Sequence, residues 1–131
     1  MSKLMSLISA RVKAIIFDLD DTLYDCSGTL VLKRKKLAAK IISKAIKCSE
    51  AEALKLQIEL EDRLGPKADI AREIASLHNL PEEFCKEITN AINTLDVEGA
   101  ILFPDTMDSI NELRSIGYKL FLVTFGNREM Q

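Results

Sequence analysis

The stretch from Ala14 to Thr22 limits the possible folds of this chain more than any other. Ala14-Ile15-Ile16-Phe17 is an unbroken apolar run, and Asp18-Leu19-Asp20-Asp21-Thr22 closes it with three carboxylates. Such a run reads as a strand buried on both faces of a parallel sheet. Like charges packed this closely cannot share an apolar interior, so the acids belong where the strand ends and solvent or a cation begins. In open α/β sheets, ligands bind beyond the carboxyl ends of strands.

Taken in order, the chain starts with a short arm, Met1 to Ala10, too interrupted by charge for a signal peptide. Val12 to Phe17 follows as the first strand and Asp18 to Ser27 as its loop, with Gly28 allowing a change of direction. From there to about Glu98 the apolar residues recur at helical spacing. Leu30, Leu37, Ile41, Ile42 and Ala45 form one stripe, with Lys33-Arg34-Lys35-Lys36 on its wet side. Ser49 and Glu52 make a capping box that opens a second helix burying Leu54, Ile58, Leu60 and Leu64, stopped at Gly65-Pro66. A third helix carries Ile70, Ala71, Ile74 and Leu77 and ends near His78-Asn79. A fourth starts at Pro81 and buries Phe84, Ile88, Ala91 and Ile92. α/β character then resumes. A helix from Asp105 to Ile116 turns Met107, Ile110, Leu113 and Ile116 inward, and Gly117 ends it. Tyr118 to Val123 is a second apolar strand ending at Thr124, with a turn at Gly126-Asn127. The fold class is therefore α/β: a parallel-sheet core from residues 1–27 and 99–131, interrupted by a helical bundle over residues 28–98.

The chain has 131 residues, 47% of them hydrophobic, which suits a small folded domain. A formal charge of −2 and an aromatic content of 5% without Trp argue against nucleic acid or an anionic membrane surface as partner. No stretch reaches membrane-spanning length. Three scattered cysteines (Cys26, Cys48 and Cys85) with no CxxC pair read as reduced thiols of a cytoplasmic protein. His78 has no second imidazole to share a zinc ion with, and reads as a helix-end residue. Cys26 reads as a small buried residue beside the acidic loop.

Phe17-Asp18-Leu19-Asp20-Asp21-Thr22-Leu23 resembles the Asp-x-Asp-x-(Thr/Val) motif of the haloacid dehalogenase-like (HAD) superfamily. Gly117 to Thr124 resembles that family's second motif, a strand ending in Thr or Ser, although Phe125 stands where many members carry a polar residue. The helical segment between the two motifs is similar in placement to the cap of phosphoglycolate phosphatase-like members.

The resemblance implies a Mg²⁺-dependent phosphatase of a small phosphorylated metabolite, working through an aspartyl-phosphate. Asp18 would be the nucleophile and give a side-chain oxygen to Mg²⁺. Asp20 would lend its backbone carbonyl to the metal and act as general acid, then base. Thr124 would donate to a phosphoryl oxygen, joined by backbone N–H groups of the loop at Leu19 and Asp21. The Asp21 side chain itself reads as a turn or cap. The family's third motif, a Lys, and its fourth, a pair of acids, have no counterpart up to Gln131. The expectation is that the core needs further residues or a partner chain to be complete. Two other functions stay open at this point: a non-catalytic helical binding protein derived from this fold, and a phosphoglucomutase-like phosphotransferase.

Overall fold

A computed structural model describes residues 12–65, 67–93, 96–126, 128 and 131. The arm at Met1 to Ala10, Pro66 and Asn127 lie outside them. The chain divides into two compact units, residues 1–29 with 98–131, and residues 30–97.

The first unit is built on two parallel strands, β1 (Ala14–Phe17) and β2 (Lys119–Leu122), with Ala14 opposite Lys119 and Phe17 opposite Leu122. The ladder extends past both ends, since Lys119 N–H donates to Lys13 O at 3.1 Å and Val123 N–H to Phe17 O at 2.8 Å. Helix α5 (Thr106–Ser115) packs on β2. Both strands are shorter than the sequence pattern predicts, and their burial differs from it too. Ile16 is 66% exposed, and Phe121, Leu122 and Val123 are exposed as well, so the strands are not buried on both faces. The reason is simple: α5 is the one described helix that packs extensively on this small sheet, and it covers only part of it. Met107 and Ile116, expected inward, are exposed, while Ile110 and Leu113 are half-buried.

The described elements of the second unit are all helices. A π-helical turn, Cys26–Val31, starts in the first unit and runs on into α1 (Leu32–Ile46). Then come α2 (Glu50–Leu64), α3 (Ile70–His78) and α4 (Glu82–Ile92). Helix α1 packs against α2 and α4, and α4 also packs against α3. The capping box forms as its sequence predicts: Glu52 N–H donates to Ser49 Oγ at 3.2 Å, and Ser49 N–H donates back to Glu52 Oε2 at 2.9 Å. The Ser49 N–H and then the Ser49 hydroxyl, which donates to Glu52 Oε2 at 2.7 Å, hold the Glu52 carboxyl below its ordinary range. Substituting Ser49→Ala removes both hydroxyl bonds, including the cap bond from Glu52 N–H, and urea unfolding should report a loss of about 1 kcal/mol. An unchanged midpoint would mean that water serves this helix end equally well. At the far ends of α1 and α3, Lys47 and Asn79 adopt left-handed conformations, each with its N–H returned to the last turn.

The inward faces match the expected stripes at Leu30, Ile42, Leu60, Ala71, Ile74, Phe84 and Ile88 and depart from them elsewhere. Buried residues are Ala38, Ala39, Ile42 and Ser43 on α1, Ala53, Gln57 and Leu60 on α2, and Ala71, Ile74 and Ala75 on α3. Leu37, Ile58, Leu64, Leu77 and Ile92 are exposed. Small residues occupy the helix contacts because they let backbones approach closely, and the larger apolar side chains flank that seam. Gln57 is buried between α1 and α2, where its Nε2 donates to Lys35 O at 3.1 Å. The run Lys33 to Lys36 is not a uniformly wet face either. Lys33 pairs with Asp96 and Lys35 with Glu61, and Arg34 is half-buried. Among the described residues, no helix is long and apolar enough to cross a membrane.

Candidate functional site

Parallel pairing determines what lies at the carboxyl edge of the sheet. The strands end together, with Phe17 opposite Leu122 and Val123 N–H donating to Phe17 O at 2.8 Å, so Asp18 follows one strand end and Thr124 the other on the same edge. The acids after β1 and the hydroxyl after β2 therefore share one rim, which is the location the sequence predicts for chemistry.

The three carboxylates have different surroundings. Asp18 is exposed, and its Oδ2 meets Thr22 Oγ1 only at 3.5 Å, the outer limit of a hydrogen bond. Asp20 is half-buried and held from both sides: Tyr24 OH donates to Oδ1 at 2.7 Å, and Gln131 Nε2 to Oδ2 at 2.9 Å. Asp21 turns away to close the loop. It adopts a left-handed backbone, φ 54°, which Asp tolerates better than most residues. It accepts from the Ser27 hydroxyl and, at 2.8 Å, from the Ser27 N–H. Those bonds, the hydroxyl's first, hold the Asp21 carboxyl below the usual carboxylate range. Leu19 contributes its carbonyl to the turn, accepting from Thr22 N–H at 3.3 Å and Leu23 N–H at 3.0 Å.

The loop is pinned from outside as well. Asp25 N–H donates to Ile101 O at 2.9 Å, and Phe103 N–H to Leu23 O at 3.2 Å. Thr106 Oγ1 adds a bond to Leu23 O at 2.7 Å. Asp25 Oδ1 also accepts from Gly28 N–H at 2.7 Å. A Cβ at Gly28 would collide with that carboxylate, so a larger residue there would displace the Asp25 side chain and its bond to the loop.

Tyr24 is the residue that sequence reasoning passed over. Burial pushes its phenol well above the ordinary range, and hydrogen bonds with Cys26 and Asp20 add to the shift. Burial likewise raises the buried Cys26 thiol. The only signal in the sequence was the four-residue spacing from Asp20, which carries meaning only once the loop conformation is known.

Thr124 is half-buried, and its Oγ1 is shielded from solvent without a hydrogen-bond partner among the described residues. A buried hydroxyl with nothing to bond costs free energy unless an acceptor arrives. The side-chain donors at this rim are oxygens, the ligand type suited to Mg²⁺. Among the described residues, no group of three or more His, Cys, Asp or Glu is placed to hold a metal ion. The exposed Asp18 carboxylate and the Asp20 backbone carbonyl are oxygen donors of the kind that would fit part of a shell, with water in other positions, as is usual for Mg²⁺.

Residues 12–131 match the family model described as "Hydrolase: haloacid dehalogenase-like hydrolase". The chain belongs to this family. Two curated relatives are each named glyceraldehyde 3-phosphate phosphatase. The one from Methanothermobacter thermautotrophicus is 32% identical over 120 residues, covering 88% of this chain and 52% of the relative. The one from Methanocaldococcus jannaschii is 28% identical over 123 residues, with the same two coverages, 88% and 52%. This HAD-like chain therefore spans about half the length of the curated relatives it matches.

Proposed function

We propose that this HAD-like chain belongs to a Mg²⁺-dependent phosphatase of a small phosphorylated metabolite, with Asp18 as nucleophile. One observation supports the reading: parallel pairing brings the exposed Asp18 to the same rim as the Thr124 hydroxyl, which has no partner among the described residues.

The roles follow from how each group is held. Asp18 is exposed, so its oxygen is available to attack phosphorus. Attack forms an aspartyl-phosphate and breaks the bond to the substrate alkoxide, which takes a proton from Asp20. Asp20 then removes a proton from water, whose oxygen attacks the phosphorus, releasing inorganic phosphate and restoring Asp18. Tyr24 OH, bonded to Asp20 Oδ1, fixes that carboxylate for both transfers. The Thr124 hydroxyl donates to a phosphoryl oxygen, along with loop N–H groups at Leu19 and Asp21. Mg²⁺, when bound by the Asp18 side chain and the Asp20 carbonyl, screens the two anions that must meet.

Residues 30–97 serve as a cap inserted between the two motifs. The names of the curated relatives point to glyceraldehyde 3-phosphate as the first substrate to try. The three unpaired cysteines favour a reducing compartment, the cytoplasm.

Phosphate release by the full-length protein tests this reading, with glyceraldehyde 3-phosphate and a panel of other phosphomonoesters. The expected result is turnover of at least one small ester with added Mg²⁺ and its loss with a chelator. Turnover indifferent to the chelator removes the metal, and no release from any ester overturns the phosphatase.

A further inference from the structure

The helical unit contains a cavity of about 310 Å³, at the lower end of the size range for small-molecule sites. Its walls are mainly aliphatic, with Val31, Ile42, Ile70, Ile74, Ile88 and Ile92 contributing. One cation lines it without compensation. Arg34 makes no hydrogen bond or ion pair with any described residue, and its Nε is shielded from solvent.

The neighbouring charges are all engaged. Lys33 pairs with Asp96 at 2.6 Å, and Lys35 with Glu61, whose carboxylate also lines the cavity. Asp69, the other acid of the lining, caps α3 by accepting from Arg72 N–H at 3.0 Å and pairs with the Arg72 guanidinium at 3.6 Å. The polar wall offers donors as well, but Gln57 Nε2 is committed to the Lys35 and Ala53 carbonyls. A shielded guanidinium nitrogen without an acceptor is costly, and it is the group best suited to a planar anion.

We propose that this cavity is a binding site for a small aliphatic carboxylate. The carboxylate pairs with Arg34, and the hydrocarbon body lies against Ile42, Ile74 and Ile88. The aliphatic wall decides against a bare inorganic anion, and the open Arg34 decides against a neutral hydrocarbon. The site lies wholly within residues 30–97 and does not depend on the phosphatase reading.

Hexanoate is the probe, titrated into the full chain carrying labelled isoleucine methyl groups, with hexan-1-ol and inorganic phosphate as comparisons. Saturable shifts centred on Ile42, Ile74 and Ile88 are expected, with hexanoate binding at least about tenfold tighter than hexan-1-ol. Arg34→Met, which keeps the length of the stem, should weaken hexanoate about tenfold or more and leave hexan-1-ol unchanged. Lys36→Met, at an exposed position outside the cavity, should alter neither. Four results would overturn the site: no saturable shift, shifts centred elsewhere, equal affinity for acid and alcohol in the unmutated protein, or unchanged hexanoate affinity in Arg34→Met. Phosphate displacing hexanoate at equal concentration would overturn the aliphatic half of the proposal.

Discussion

Substituting Asp18→Asn should lower phosphate release by the full-length protein at least about a thousandfold, with no change in its unfolding midpoint. The two halves of that expectation have separate origins. The amide has the shape of the carboxylate but lacks the anionic oxygen that attacks phosphorus, so the aspartyl-phosphate cannot form. Stability is unaffected because Asp18 is exposed and its one side-chain hydrogen bond, from Thr22, is 3.5 Å long. Asp21→Asn is the matched control. Its side chain is spent on Ser27, so it should keep most of the turnover. Steady-state release of phosphate, with circular dichroism on the same samples, separates lost chemistry from lost fold. Full activity in Asp18→Asn would move the nucleophile elsewhere. Loss in both variants would mean that the loop's shape, and not Asp18, had been read.

What the sequence discloses here is what depends on neighbours along the chain. Ser49 and Glu52 announce a helix start because both bonds of the box close within one turn. The rim is legible for a related reason. An apolar strand run that ends in acids, and another that ends in Thr124, place both groups once the strands pair in parallel. Facing is another matter. Choosing large apolar residues as the inward stripe finds Ile42, Leu60, Ile74 and Ile88, which are buried, but also selects Leu37, Ile58, Leu64 and Leu77, which are exposed. Alanines such as Ala38, Ala39 and Ala53 hold the seam, because close helix packing is limited by backbone approach and not by side-chain size. Gln57 and Tyr24 were illegible for the same physical reason. Each is a polar group whose burial makes sense only beside a partner, the Lys35 carbonyl in one case and the Asp20 carboxylate in the other. Arg34 stands in a run that reads as one wet face, and it is set apart only by tertiary pairing: Lys33 and Lys35 have acidic partners and it has none among the described residues.

That difference between size and facing yields the second large effect, on helix α3. Ile74 and Leu77 lie within one turn of each other and carry side chains of similar bulk, yet Ile74 is 0% exposed and Leu77 56%. Ile74→Ala should cost about 2–5 kcal/mol, from the apolar surface lost and from the space left behind. The upper part of that range is expected, because Ile74 already borders the 310 Å³ cavity and the new void joins it instead of closing. Leu77→Ala removes a side chain that already faces water, and alanine favours the helix slightly, so its effect should fall within about 0.5 kcal/mol. Urea unfolding followed by the helical signal measures both variants on one scale. The test bears on the orientation of α3 directly. Equal losses at the two positions would mean that the helix is turned about its axis, so that Leu77 takes part in the core. A small loss at Ile74 would mean that the surrounding helices collapse to fill the gap, and the cavity proposed to bind a carboxylate would lose its rigid wall.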